Sequence, residues 1–155
     1  MVSIKWCLKQ KNGIEIVEPN TNMSDSYLKM AEESIRILAK MEESAIWTAT
    51  TSYYIYYYSL YALMLKIGVK CEIHSCSIAF MKELLGEFYT VDDIRHFEDA
   101  FNARKDLQYY ADRPVDKKIV NESKRYCKIF FIKTKDITTK ITEKQIQQIR
   151  KSLTT

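Results

Sequence analysis

Arg104 stands in the middle of the apolar face of a predicted helix, where a charged side chain has no ordinary packing role. The spacing of apolar residues predicts this helix over residues 90–110. Its apolar face comprises Phe97, Ala100, Leu107 and Ala111. Because burying an unpaired guanidinium is costly, we expect Arg104 to face an anion. That anion is either an internal carboxylate, which makes Arg104 structural, or a ligand phosphate, which makes it functional.

His74 is the second candidate for chemistry, and it lies in a cluster with Cys71 and Cys76. Thiolates and imidazoles bind zinc, but a closed site needs a fourth ligand and the usual Cys-x-x-Cys pair is absent. We therefore expect no metal. Placed before a predicted helix, His74 either carries a proton or makes a structural hydrogen bond.

Several enzyme classes are excluded by what the sequence lacks. The only glycines are Gly13, Gly68 and Gly86, and none belongs to a phosphate-cradling loop, so P-loop and dinucleotide-binding chemistries are excluded. No serine or cysteine occupies a nucleophile elbow, which leaves hydrolase triads without support. The sequence thus predicts no bound cofactor.

Positive charge is concentrated at the end of the chain. Residues 117–155 contain 11 Lys and Arg against 3 Asp and Glu, a net charge of +8, whereas the whole chain carries +4. Such a block indicates contact with a nucleic acid or another polyanion, although a solvated helix face has the same composition.

Few glycines and prolines predict an all-α fold of about five to six helices with a small β-hairpin at the N-terminus. The hairpin is expected over residues 3–17, around a turn at Asn12-Gly13. It forms, with its connector, a segment of residues 1–24, and the helical domain follows over residues 25–155. Predicted helices cover residues 25–41, 45–65, 78–88, 90–110, 116–135 and 143–153, the first after a cap at Ser24.

The segment of residues 45–65 contains no charged residue and six tyrosines. It is long enough to span a bilayer, but its many hydroxyl groups are too polar for the hydrocarbon centre. We interpret it as a central helix or as part of a subunit interface. The four cysteines are too few for a disulfide scaffold, and no signal peptide opens the chain, so a reducing cytoplasm is expected.

Two runs of sequence carry a resemblance to a known family. The run SYYIYYYSLYALMLKIGVKCEIH ends at His74, and the run ARKDLQYY contains Arg104. Together they resemble the HEPN superfamily of small helical domains over residues 25–135. The resemblance implies an antiparallel up-down helical bundle, a homodimer and a nucleotidyltransferase-type partner, as in toxin-antitoxin systems.

The best-known members of this superfamily are metal-independent endoribonucleases, with an arginine followed by a histidine after four to six residues. Arg104 matches the arginine, but Tyr109 replaces the histidine, and Lys105 stands where Asn or Asp is usual. The resemblance therefore implies Arg104, Tyr109 and His74 as the catalytic candidates. On a regular helix, however, Tyr109 lies about 140° from Arg104, and its phenol is rarely ionised at neutral pH.

Three functions follow. The first is binding of RNA or a nucleotide, the second is an active endoribonuclease toxin, and the third is a structural module in which Arg104 pairs with an internal acid such as Asp93 or Glu43. The candidate binding residues are Arg104, Lys105, Tyr110, Lys117, Lys118, Lys124 and Arg125.

Overall fold

The computed structural model describes residues 2–155, and the fold is mostly helical, as expected. Over these residues seven helices accompany a two-stranded antiparallel sheet. The elements are α1 (Ile4–Cys7), β1 (Glu15–Ile16), α2 (Thr21–Leu38), α3 (Ala45–Ile67), β2 (Val69–Lys70), α4 (His74–Leu84), α5 (Val91–Tyr109), α6 (Lys117–Lys140) and α7 (Glu143–Ser152). Six helices correspond to predicted ones, and α1 is the seventh, so the expected five to six was too few.

The tyrosine-rich helix α3 forms the centre of the fold, and α2, α5 and α6 pack around it. Ser44 caps its N-terminus by accepting a hydrogen bond from the amide of Trp47, and Gly68 ends it in the left-handed conformation with φ 92°. Most of its side chains are buried. The interpretation as a central helix is confirmed, because a helix that is apolar or aromatic on all sides must be covered on all sides.

The predicted hairpin over residues 3–17 is wrong. Ser3 caps a single helical turn, α1, and β1 pairs with β2 rather than with the segment before it, placing Ile16 opposite Val69. The turn signal itself is real: Asn12 has φ 62°, and the chain reverses so closely that a Cβ at Gly13 would lie 2.0 Å from a backbone oxygen. The reversal at Asn12-Gly13 thus connects α1 to β1, and the pairing partner of β1 is β2, which lies far away in sequence.

The start of α2 also differs from the prediction. Asn20, not Ser24, caps the helix by accepting a hydrogen bond from the amide of Met23. Ser24 is buried inside α2 and donates a hydrogen bond of 2.7 Å to the carbonyl of Ala62. The helix therefore begins before residue 25, the predicted domain boundary. Met1, which belongs to the predicted segment 1–24, lies outside the described residues.

The cysteines form one pair that their spacing did not predict. A disulfide joins Cys7 to Cys76 and attaches α1 to α4, while Cys71 and Cys127 are free and buried. Across residues 2–155, no group of three or more potential metal ligands has the geometry of a metal site. None of the helices described is both long and apolar enough to cross a membrane.

Arg150 of α7 closes the end of the fold at which α3 stops. Its Nη1 atom donates hydrogen bonds to the carbonyls of Val17 at 2.7 Å, Gly68 at 2.9 Å and Ile67 at 3.2 Å. These carbonyls belong to the C-terminal end of α3 and to the segment after β1. A Cβ at Gly68 would lie 2.1 Å from this nitrogen, so the residue must be glycine for Arg150 to fit.

We expect Arg150→Met to lower the free energy of unfolding by about 2 kcal/mol, because three partly buried carbonyls lose a charged donor. Urea unfolding followed by circular dichroism measures the change. Lys151→Met is the matched control, since Lys151 is exposed on the same helix. Equal loss in the two variants would contradict this role of Arg150.

Candidate functional site

Arg104 projects from α5 onto the central tyrosine helix and is half-buried there. The carbon of its guanidinium lies 4.6 Å from the ring centroid of Tyr53 and 5.6 Å from that of Tyr54. Its Nη1 atom also donates a long hydrogen bond of 3.4 Å to the hydroxyl of Tyr54. Aromatic faces attract cations, so the two rings hold the guanidinium without neutralising it.

No carboxylate within residues 2–155 forms an ion pair with Arg104. Asp93 instead pairs with Lys133 and forms the capping box of α5 with Thr90. Glu43 is exposed in the loop before α3. A purely structural Arg104 was expected to pair with an internal acid such as Asp93 or Glu43. Neither of these two ion pairs is present, so that expectation is wrong for both acids.

One nitrogen of the guanidinium is left without any acceptor. Nε of Arg104 is buried and makes no hydrogen bond within the described chain. A buried N–H of a charged group without a partner is costly, and such groups are rare in folded proteins. The guanidinium thus has no anionic partner within the described chain, and its Nε lacks a hydrogen-bond acceptor.

His74 belongs to the same cluster, although 30 positions separate it from Arg104 in sequence. It is the first residue of α4, its Nδ1 lies 2.6 Å from the hydroxyl oxygen of Tyr53, and its ring stacks on Tyr57 at 4.2 Å. Tyr53 therefore contacts both Arg104 and His74. Two of the three catalytic candidates from the sequence meet on one tyrosine.

Burial, helped by the positive charge of Arg104, lowers the pKa of His74 to about 4. The imidazole is consequently neutral at pH 7. Burial also raises the pKa of Tyr53 far above its ordinary value, so this phenol keeps its proton. Tyr53 then donates its hydrogen bond to Nδ1, which places the proton of the neutral imidazole on Nε2. His74 is thus a hydrogen-bond donor at neutral pH, not a free base.

The third catalytic candidate, Tyr109, lies apart from this cluster. It is 69% exposed at the end of α5. Because α5 remains helical through Tyr109, the five residues from Arg104 turn it about 140° away. Tyr110 follows the helix and carries the guanidinium of Arg113 over its ring at 3.8 Å.

The predicted basic binding residues occupy different surroundings. Lys105 follows Arg104 on α5 but lines a separate cleft of about 460 Å³ with Glu98 and Asp99. Lys124 forms an ion pair of 2.7 Å with Glu42. Lys105 is therefore adjacent to Arg104 in sequence, yet it shares its cleft with acidic side chains instead of adding its charge to the Arg104 site.

Three cations of α6 keep their charge available to solvent. Lys117, Lys118 and Arg125 form no ion pair with any residue between 2 and 155, and all three are exposed. Arg125 lies 5.5 Å from the ring of Tyr126, and Lys117 lines a cleft of about 290 Å³ with Glu42 and Glu43 beside the start of α3. Because none of the three is held in an ion pair, they fit contacts with phosphates better than Lys124 does.

Sequence reasoning grouped the tyrosines of α3 but gave none of them a role in the site. Tyr53 and Tyr57 are four residues apart, which places both rings on the face of α3 that meets His74. This spacing was visible in the sequence. The sequence did not show which distant residues would meet that face, because the contacts join three separate helices.

The comparisons with known proteins give no independent guide to this site. No family model matches the chain, and no curated protein matches its sequence. Its chemistry therefore has to be judged from the geometry of Arg104, His74 and the tyrosines.

We expect the stability of the fold to fall more steeply with acid in the wild type than in His74→Asn. The folded pKa of about 4 lies below the ordinary value of 6.5, so the unfolded chain binds the extra proton between these values. The contribution of the neutral His74 to the free energy of unfolding is complete above pH 6.5. It is lost as the pH falls from 6.5 toward 4, and it does not change further below pH 4. Urea unfolding at several pH values measures the difference.

His96→Asn is the matched substitution at the other histidine, which stacks on Tyr126 between α5 and α6. We expect it to keep the pH dependence of the wild type. If His74→Asn keeps the wild-type dependence of the free energy of unfolding on pH, the fold does not hold His74 neutral.

Proposed function

We propose that this chain is a HEPN-like domain, an antiparallel up-down helical bundle that binds RNA or a nucleotide through a phosphate at Arg104. The observation that carries the proposal is a half-buried guanidinium with no carboxylate partner within residues 2–155 and with its Nε unsatisfied. A phosphate oxygen would supply both the missing charge and the missing acceptor. The resemblance of the two sequence runs to HEPN domains favours the same ligand class.

The neighbouring groups support binding of an anion. His74 supplies an Nε2–H donor, and the hydroxyl of Tyr54 lies beside Nη1 of Arg104. These are donors to a negatively charged group, and the aromatic rings around them lower the local polarity. The set contains a cation and neutral donors, which is what recognition of a phosphate requires.

The same groups favour binding over RNA cleavage. Cleavage by the 2′-hydroxyl needs a group that removes its proton and a second that protonates the leaving oxygen. With a pKa of about 4 and its Nδ1 occupied by Tyr53, His74 is poorly suited to either step at neutral pH. Endoribonuclease activity is therefore the alternative function, and a cleavage assay tests it.

Exposed cations of α6 would extend the contact along a nucleic acid. Lys117, Lys118 and Arg125 are free to bind successive phosphates, whereas Lys124 would first have to leave Glu42. Each phosphate contact adds to the dependence of affinity on salt. We include these three residues in the proposed interface.

We further propose that the domain is a homodimer. Met23, Met30 and Ile37 recur every seven residues and form an exposed apolar stripe along α2. Tyr27, on the same helix, packs against Tyr58 of α3, and Trp47 is exposed at the start of α3. An apolar stripe with this period is typical of a helix that packs on a partner.

The resemblance also suggests a nucleotidyltransferase-type partner in a toxin-antitoxin system and a cytoplasmic location. In a reducing compartment, Cys7 and Cys76 would be held as two thiols. Location and partner are therefore part of the proposal, to be tested in cells.

We expect light scattering at micromolar concentration to give about twice the monomer mass of 18.3 kDa. Ile37→Asp should produce the monomer, because a carboxylate would be buried in the apolar stripe. Val91→Asp, at an exposed apolar residue of α5, should leave the dimer intact. A monomeric wild type, or a dimer in Ile37→Asp, would exclude this interface.

We expect Arg104→Ala to weaken the binding of single-stranded RNA by about tenfold, because one charge-assisted phosphate contact is lost. Fluorescence anisotropy with labelled RNA in chelator measures the affinity, and circular dichroism checks the fold. Arg95→Ala is the matched control on α5, since Arg95 is exposed and already contacts Asp92 and Asp99.

The same samples, analysed by gel for RNA length, separate the three functions. Binding without cleavage, weakened only in Arg104→Ala, supports the proposed function. Cleavage that disappears in folded Arg104→Ala establishes the endoribonuclease. Absence of both binding and cleavage favours the structural module.

A further inference from the structure

Helix α6 exposes two isoleucines that the fold does not use. Ile129 is 54% exposed and Ile132 is 66% exposed, whereas Phe130 and Phe131 between them are buried in the core. The helical period places the two isoleucines on the solvent side. Large apolar residues clustered on an exposed helix face are typical of an interaction site.

Ile132 lines a groove between α2 and α6 that is separate from the Arg104 site. The groove has a volume of about 320 Å³. Its lining residues are Glu32, Ile35, Arg36, Lys128, Phe131 and Ile132. Three of these residues, Ile35, Phe131 and Ile132, are apolar, and the charged ones, Glu32, Arg36 and Lys128, are called the rim.

The rim of this groove is positively charged. Its one carboxylate, Glu32, is paired with Lys135 at 2.8 Å. Arg36 and Lys128 form no ion pair with any residue between 2 and 155. With Lys135 counted, the rim has three cations against one carboxylate, and two of these cations are available to a partner.

We propose that the groove between α2 and α6 binds an acidic amphipathic segment of a protein partner. Two apolar side chains of that segment, about one helical turn apart, would cover Ile35 and Ile132 of the groove and, beside it, the exposed Ile129, three residues before Ile132 on α6. Carboxylates beside them would pair with Arg36 and Lys128.

The chemistry of the groove favours this occupant over the other anionic ones. A nucleic-acid backbone would pair with the cations but has no aliphatic surface to cover two isoleucines. A flat bilayer surface would not fill a concave groove, and two isoleucines give it little to bury. Binding of such a segment at this groove is independent of phosphate binding at Arg104.

A labelled synthetic peptide tests the proposal on the full chain. The probe is a short helical peptide with two leucines one turn apart, flanked by glutamates, and anisotropy measures its binding. We expect Ile129→Ser with Ile132→Ser to weaken binding by about tenfold. We expect a similar loss for Arg36→Glu with Lys128→Glu, and stronger binding at low salt.

Matched controls separate the groove from general effects. Val91→Ser removes an exposed apolar side chain elsewhere, and Lys144→Glu reverses an exposed cation of α7, so both should bind as the wild type does. A peptide with lysines in place of glutamates, and one with the leucines dispersed, should bind weakly.

The proposal is overturned if the groove variants bind the acidic peptide as tightly as the wild type does. It is also overturned if the peptide with dispersed leucines binds equally well, or if the isoleucine substitutions instead abolish binding to anionic vesicles or to RNA. Unchanged circular dichroism in the variants ensures that a loss of binding reports on the groove, since the substituted isoleucines are exposed.

Discussion

The fold depends on keeping α3 out of water along nearly its whole length. This helix presents apolar or aromatic side chains on every side, so α2, α5 and α6 must surround it. Burying so many tyrosines also brings their hydroxyl groups inside, and each needs a hydrogen-bond partner. Tyr53 finds His74, Tyr57 approaches the carbonyl of Cys71 at 3.4 Å, and Tyr54 meets Arg104. The buried hydroxyl of Tyr56, by contrast, has no partner within residues 2–155. The polar cluster of the candidate site is thus a direct consequence of a tyrosine-rich core helix.

Within that cluster, Arg104 and His74 influence each other through Tyr53. Burial makes a positive charge on His74 unfavourable, and the nearby guanidinium adds to this effect, so His74 is neutral. The rings of Tyr53 and Tyr54 stabilise the guanidinium, but a cation–π contact contributes only about 0.5 to 2 kcal/mol. An arriving anion would therefore meet one fixed charge and neutral donors that need little rearrangement.

The helices were largely predictable because their signals are local. The signals were the spacing of apolar residues, Gly68 at the end of α3, and the capping pair of Thr90 and Asp93 at the start of α5. They located α3, α5 and α7 within a few residues, whereas ends of α4 and α6 lie further from the predicted positions. The hairpin failed because Asn12-Gly13 specifies only that the chain reverses. Whether β1 pairs with residues before the turn or with β2 depends on contacts far away in sequence, which no local pattern encodes.

The candidate site was predictable only in part, for the same reason. Arg104 could be identified because a charge in an apolar stripe is anomalous on its own helix. His74 was one of only two histidines. Their meeting on Tyr53 could not be inferred, since it requires the packing of α4 and α5 against α3. Tyr109 was carried over from a family pattern, and the continuation of α5 turns it elsewhere.

The disulfide between Cys7 and Cys76 has a topological consequence for the whole domain. With a sequence separation of 69 residues, it closes a covalent ring that contains all of α2 and α3. Closing a ring of this size restricts the unfolded chain by about 4 kcal/mol in the chain-entropy description. A protease that cuts the loop between α2 and α3 would linearise the ring but release neither fragment. The oxidised domain would then remain one covalent molecule even when unfolded, and only a reductant would separate its pieces.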